Sequence, residues 1–317
     1  MKILLITTGG NKNPGDQFIR IGIERLVRSL QTDVEFVRID KESEEIATPT
    51  EFDKAILCGM PLWWDNPTSN SADIGWWGPL MRGWISERKE DFLILGAGSV
   101  MGDHPVDMAR YIAAIQESID RAYAVVTRQP VLDHPHLIAS ICPAAFAATW
   151  NTRRSRMVCN LMPAGAHDDH LFSQEAAAWR QRLPDVAEHL QMGGFEFCAH
   201  SPDEVELAQR LGWPQDGIHF FDTPEEYLEL YDNTRIYAGN RLHGAVVVAA
   251  GGGLAAVQGY DSRMKMVEPF TPRVFFPSEF FPQNPIPMVT SFPDHIRTLV
   301  EREWRRQQNI VDSFLSA

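Results

Sequence analysis

The chain is short of cysteine and of basic residues, and it has no long apolar run. Its four cysteines, Cys58, Cys142, Cys159 and Cys198, lie far apart and form no C-x-x-C pair. That spacing fits neither a zinc knuckle nor a disulfide framework and points to reduced, mostly buried thiols. Lys and Arg number 29 against 42 Asp and Glu, a net charge of -13. A chain this acidic is repelled by phosphodiester backbones, so general nucleic-acid binding is excluded unless a local basic patch overrides the mean. Small anionic ligands stay open, because a few arginines and backbone N–H groups in a cleft reverse the local potential. The opening MKILLITTGG carries too few apolar residues for a signal-peptide core or a membrane span. The expectation is a cytoplasmic protein with no integral membrane segment, for which peripheral association and an oligomeric state both stay open. No internal repeat and no low-complexity tract is visible.

What is present is an ordinary globular composition, 317 residues of which 44% are hydrophobic. At about 100–200 residues per domain, that length favours two domains. Lys2–Thr7, Val34–Ile39, Lys54–Cys58 and Asp91–Leu95 read as short strands, and Phe18 to Leu30 has helical spacing. Strands separated by helices imply βαβ units and a mostly parallel sheet, with ligands beyond the carboxyl ends of the strands. The same grammar restarts with Arg156–Leu161, Gly194–Cys198, Ile218–Phe221, Thr234–Tyr237 and Leu254–Val257, interleaved with helix-like Ser201–Leu211 and Pro224–Tyr231. Pro143 to Arg154 looks like the crossover. The expected architecture is α/β, two doubly wound Rossmann-like domains facing a cleft, over residues 1–150 and 151–290. A final helix within 291–317 could return across the first domain.

The first loop, Gly9 to Asp16, lacks both the G-x-G-x-x-G spacing and a G-K-[ST] ending, which removes the dinucleotide and P-loop readings. Two readings remain for it. Asp16 caps the helix while Gly15 turns the chain, or the helix N-terminus holds an anion or sugar hydroxyls. The Gly96-Ala-Gly98 turn, running to Asp103 and His104, suits either close approach to a ligand or tight strand-to-helix packing. Arg128 follows an apolar run at an expected strand end, where it is a surface residue or a ligand contact. His167-Asp-Asp-His170 places no third ligand and reads as a polar loop with helix caps, so no metal is expected. Trp63, Trp64, Trp76, Trp77 and Trp84 crowd one Pro/Gly/Asn-rich stretch. They are a sugar-stacking platform or loop packing, and the Phe/Pro-rich run Phe270 to Met288 invites the same pair of explanations.

The richest segment is Tyr237 to Gly251. A strand ends in a turn, then Arg241 and His243 stand two residues apart at the start of an apolar helix. In the first helical turn the positive dipole end disfavours imidazolium, and the same place suits a phosphate or carboxylate, with Arg241 offering a two-pronged donor. A perturbed His beside an Arg at a strand end is a candidate site.

In their order these motifs resemble the polysaccharide pyruvyl transferase family. The similarity runs through Asn13-Pro-Gly15-Asp16, Gly96-Ala-Gly98, Arg128, His200-Ser-Pro-Asp203, Asp222-Thr-Pro-Glu-Glu226 and Arg241-Leu242-His243-Gly244, continuing to Gln258-Gly-Tyr260-Asp-Ser-Arg-Met-Lys265. It covers roughly residues 1–268, and the R-L-H-G segment with its downstream Tyr-Asp and Lys is the specific part. The chain departs from the family pattern at Cys142, where an Asp is common before Pro-Ala, and at Gly252 to Leu254.

The resemblance implies a fold similar to two-domain GT-B glycosyltransferases and transfer of a pyruvyl group from phosphoenolpyruvate to a saccharide hydroxyl pair, forming a ketal. It implies no cofactor beyond that donor. It places Arg241, Leu242, His243 and Gly244 at the donor, with Arg128 a further donor ligand, and assigns the first domain to a saccharide or lipid-linked oligosaccharide acceptor. His243 is then the expected acid/base and His200 a second candidate, while Asn13, Gly15, Asp16, Trp76 and Trp77 face the acceptor or shape the cleft. A GT-B sugar-nucleotide glycosyltransferase and a catalytically silent carbohydrate-binding member of the family are the alternatives, since fold alone does not decide the donor.

Overall fold

The computed structural model describes residues 1–8, 13–40, 51–59, 61–64, 91–100, 108–129, 134, 136–162, 173–259, 262–271, 274–275 and 292–317. Among them, the first half builds one parallel sheet from β1 (Lys2–Thr7), β2 (Glu35–Asp40), β3 (Lys54–Cys58), β4 (Pro61–Trp64), β5 (Phe92–Val100), β6 (Ala124–Thr127) and β7 (Leu137–Ala139). Its order is β2-β1-β3-β5-β6-β7, with β4 pairing the far end of β5. The second half builds another parallel sheet from β8 (Arg156–Asn160), β9 (Glu196–Cys198), β10 (Ile218–His219), β11 (Thr234–Gly239), β12 (Leu254–Gln258) and β13 (Val274–Phe275). Its order, β10-β9-β8-β11-β12-β13, is that of a Rossmann sheet.

Both sheets are covered on both faces, which is why their strands read as unbroken apolar runs. Leu4, Ile6, Leu57 and Ile94 pack on Tyr111 and Ile115 of α2 (Met108–Arg121), whereas Ile3, Leu5, Ile56 and Leu95 face the opposite way, onto α1 (Pro14–Arg28). In the second half, Cys159, Phe197 and Ile236 meet Trp179 and Leu183 of α3 (Ser173–Met192) and Leu207 of α4 (Pro202–Arg210). The four cysteines are buried free thiols, each small enough to sit among these apolar side chains.

The halves are joined through α1. It contacts α5 (Pro224–Asp232), α6 (Leu242–Ala250) and the 3-10 turn Pro143–Ala147. Phe18 of α1 packs edge-on against His200, Tyr227 and Tyr231 of the second half. Arg25 reinforces the join by donating from Nη1 to the Ala147 carbonyl at 2.6 Å. The last helix, α7 (Phe292–Ser316), lies along the first half. There Phe314 meets Tyr123, and Arg306 donates to the Ala139 carbonyl at 2.6 Å.

Three local readings of the sequence change. The strand expected to stop at Leu95 runs on to Val100 through both glycines, because β4 adds beside it. The strand expected to reach Phe221 ends at His219. Asn13, not Asp16, caps α1, its Oδ1 accepting from the Gly15 N–H at 3.2 Å, so Asp16 falls inside the first turn.

Candidate functional site

In each sheet the strand order reverses direction about one point, between β1 and β3 in the first and between β8 and β11 in the second. Such points open a crevice at the carboxyl ends of the strands. In the first half, β1 ends at Thr7 and leads to Asn13 and α1; in the second, β11 ends at Gly239 and leads to Arg241 and α6. The starts of the two helices meet. A Cβ on Gly15 would overlap His243 Nδ1, so the absent side chain at Gly15 is what lets α6 present His243 against α1.

Arg128 reaches this junction from the end of β6. It is 4% exposed, and its Nη1 donates to His243 Nε2 at 2.9 Å and to Cys142 Sγ at 3.7 Å. Its Nε is buried without a hydrogen-bond partner, and no carboxylate of the described residues lies within ion-pair distance of the guanidinium. The surface reading of Arg128 is thereby overturned. Gly98 makes room for it, since a Cβ there would stand 2.8 Å from Arg128 Nε.

Arg241 has the opposite environment. It flanks α6 at the N-cap and pairs through Nε, at 2.8 Å, and through Nη2 with Oε1 of Glu204, which is 3% exposed. The other Glu204 oxygen accepts from the His200 N–H at 2.7 Å and from Asn160 Nδ2 at 2.9 Å. Asn160 closes β8, so the pair is tied to the strand end that defines the crevice. Leu242 is half-buried against the shared core, and Gly244 fits where any side chain would press on the Tyr231 and Tyr237 hydroxyls.

His243 is held down to about 3, by burial first and then by Arg128, with Arg263 and Arg241 adding to it and Asp16 opposing. Arginine only donates, so the ring nitrogen facing Arg128 carries a lone pair and the neutral imidazole keeps its proton on Nδ1. Asp16 is buried and accepts from Thr8 Oγ1 at 2.7 Å. Burial pushes the Cys142 thiol up, against a smaller opposite pull from Arg128.

His200 sits deeper. It is 1% exposed, its Nε2 lies 2.6 Å from the Tyr231 hydroxyl, and Nδ1 is buried without a partner. Burial, Arg241 and His243 hold it well below the usual histidine range. With Tyr227 at 5.1 Å and Phe18 at 6.3 Å between ring centres, it packs between α1 and α5, without an exposed ring edge. Glu204 and Asn160 are the contributors that motif reading passes over, whereas Cys142, marked in the sequence only as a departure from the family pattern, proves to be a contact of Arg128. Glu204 carries a faint signal, an acid one turn after His200-Ser-Pro in a helix that closes over a strand end.

Trp76, Trp77, Asp103, His104, His167 to His170, Tyr260 and Asp261 lie outside the described residues. So does nearly all of the stretch from Phe270 to Met288. Of the tryptophan cluster, Trp63 is core, with its Nε1 donating to Ser118 Oγ at 3.1 Å. Among the described residues, no helix is long and apolar enough to cross a membrane.

The sequence matches no family model and no curated protein. Among solved structures, the chain is similar to UDP-GlcNAc 2-epimerase from Neisseria meningitidis bound to UDP-GlcNAc, with a TM-score of 0.53, 10% identity and 100% of both chains covered. UDP-GlcNAc 2-epimerase from Methanocaldococcus jannaschii follows at a TM-score of 0.46 and 9% identity over 97% of this chain and 93% of that one. E. coli heptosyltransferase WaaC gives 0.36 and 9% identity over 81% and 88%. At such identities the likeness shows the fold, and that fold is GT-B: two Rossmann-like α/β domains with their strand ends turned toward one crevice.

Proposed function

We propose that the chain is a carbohydrate-active transferase of GT-B fold whose donor is a small anion, phosphoenolpyruvate, bound between Arg128 and the Arg241-Leu242-His243 turn. The observation that carries this reading is the environment of Arg128, a buried guanidinium whose side-chain hydrogen bonds among the described residues go to a neutral imidazole and a thiol. Burying a cation without an anion is costly, and a ligand carboxylate or phosphate relieves that cost while gaining charge-assisted hydrogen bonds. The N-terminus of α6 adds its dipole at the same place. The R-L-H resemblance supports phosphoenolpyruvate as the anion.

In the reaction, the enol methylene carbon takes a proton while a saccharide hydroxyl adds to the neighbouring carbon. Phosphate then leaves and a second hydroxyl closes the ketal. His243 stands at the junction with one ring nitrogen turned to the arginine that would grip the donor, the position of an acid/base group. Arg128 holds the donor charge and Arg241, fixed by Glu204, borders it. Thr8 and Asp16 line the first-half side, where the acceptor would enter.

A second reading, an enzyme acting on a sugar nucleotide, is supported by the full-length likeness to an epimerase bound to UDP-GlcNAc. A thermal-shift panel separates the two. Phosphoenolpyruvate raising the melting temperature, with no effect of UDP or UDP-sugars, supports pyruvyl transfer; the reverse pattern overturns it in favour of the second reading. Phosphate release from phosphoenolpyruvate in the presence of a saccharide acceptor, lost in His243→Ala, would then test the assignment of the acid/base.

A further inference from the structure

The Arg128–His243 contact poses a chemical problem for the function proposed above. As a lone-pair acceptor from a guanidinium, His243 Nε2 has no proton to give. The groups facing the ring are Arg128 from the end of β6, Arg241 at the start of α6, Arg263 from the 3-10 turn Ser262–Met266, and Asp16 from α1. His200 is electrostatically coupled to it, and Cys142 shares the Arg128 Nη1 that meets the ring. Three of these are cations and one is an anion, so the free site repels a proton.

Resting on the reading of this crevice as an anion site, we propose that the anion enters together with a proton, taken up on His243 Nε2 as Arg128 turns from the imidazole to the anion. The incoming charge neutralises Arg128, removes the hydrogen bond that occupied the Nε2 lone pair, and places anionic oxygens where the new N–H can donate. Donor binding thus loads the acid that the chemistry needs, and the empty enzyme holds no reactive imidazolium. Coupling of this kind is reciprocal, so whatever proton uptake accompanies binding must appear as a pH dependence of affinity. The buried thiol and phenols do not supply the effect, and the His243 variants below separate it from the second buried imidazole, His200. Cys142, Tyr227, Tyr231 and Tyr237 are all shifted toward the protonated form already and have no site left to fill.

Isothermal titration calorimetry of the full chain tests this with two probes, phosphoenolpyruvate and sulfate, a dianion that does not titrate in this range. Each is measured in buffers of high and low ionisation enthalpy from pH 7 to about 9, above the phosphate pKa of about 6. The expected result is a buffer-dependent enthalpy corresponding to net uptake of a fraction of one proton at pH 7, shrinking as pH rises. Affinity should fall over the same range by less than about tenfold per pH unit, the fall levelling off as the uptake shrinks. His243→Asn should bind with the same enthalpy in both buffers, and His243→Gln stands in if that variant does not fold. Equal enthalpies for the unaltered protein at pH 7, or uptake that persists in the His243 variants, overturns the proposal. Sulfate binding with uptake but no phosphoenolpyruvate binding leaves the proton coupling standing and removes the donor reading. Binding of neither anion overturns both.

Discussion

The two sides of the crevice carry an arginine each, and the two arginines live in opposite electrostatic worlds. On the second-half side, Arg241 is matched by Glu204, and Glu204 is in turn satisfied by Asn160 and by the backbone of His200. On the first-half side, Arg128 is more deeply buried and meets no carboxylate of the described residues. A matched pair holds geometry, whereas an unmatched buried charge waits for a ligand. The contrast separates a positioning wall from a binding wall within one site.

The sharpest way to break that comparison is to unmatch the matched side. Glu204→Ala leaves Arg241, Asn160 and the His200 N–H without their acceptor, and removing one partner of a buried pair costs about 3–5 kcal/mol. Chemical denaturation should show a loss of that size. A loss below about 1 kcal/mol would mean that Glu204 does not anchor the wall. Next in size is Gly15→Ala, where the added methyl overlaps His243 and the halves must part. Overpacking of this kind costs about 1–3 kcal/mol. It should also abolish anion binding, so a variant of unchanged stability and affinity would refute the close contact between α1 and α6.

Acid sensitivity sharpens the comparison further. His243 and His200 are both held below their unfolded value of about 6.5, so the unfolded chain binds more protons than the folded one between that pH and the folded values. Their contribution is fully present above about pH 6.5. It is lost on acidification toward the folded value of about 3 for His243, at about 1.4 kcal/mol per pH unit for each group well inside that window. Urea midpoints at pH 7 and pH 5.5 should therefore fall in that order, and His243→Asn should shallow the slope. An unchanged slope in that variant would place the acid sensitivity elsewhere.

Much of this organisation was legible in the sequence, and for a physical reason. Parallel strands buried on both faces must be continuous apolar runs, so β1, β3, β8 and β11 declare themselves, and the loops at their carboxyl ends follow from topology. Arg241 and His243 were visible because they interrupt such a run at a helix start. Burial was less visible: Arg128 reads like any surface arginine until Gly98 and Cys142 are seen to enclose it. Glu204 was only faintly visible for the opposite reason, since an acid in the first turn of a helix is ordinarily a solvent-facing partner of the helix dipole. Its burial depends on Asn160 and Arg241, which are distant in sequence and brought together by the second sheet. The end of β5 was misread because glycines mark turns more often than they mark room for a guanidinium.

The smallest expected change in stability belongs to the residue at the centre of the proposed function. Arg128→Met keeps the length and apolar stem of the side chain while deleting a charge that lacks a carboxylate partner. Because the folded protein already bears the cost of burying that charge, its removal offsets the lost contacts to His243 and Cys142, and stability should change by no more than about 1 kcal/mol. Anion affinity should nevertheless fall by about 100-fold, the scale of two charge-assisted hydrogen bonds. Denaturation and titration of the same variant give the two numbers side by side. If Arg128→Met destabilises the fold as strongly as Glu204→Ala while sparing anion binding, then Arg128 belongs to the scaffold and the two walls of the crevice do not differ in kind.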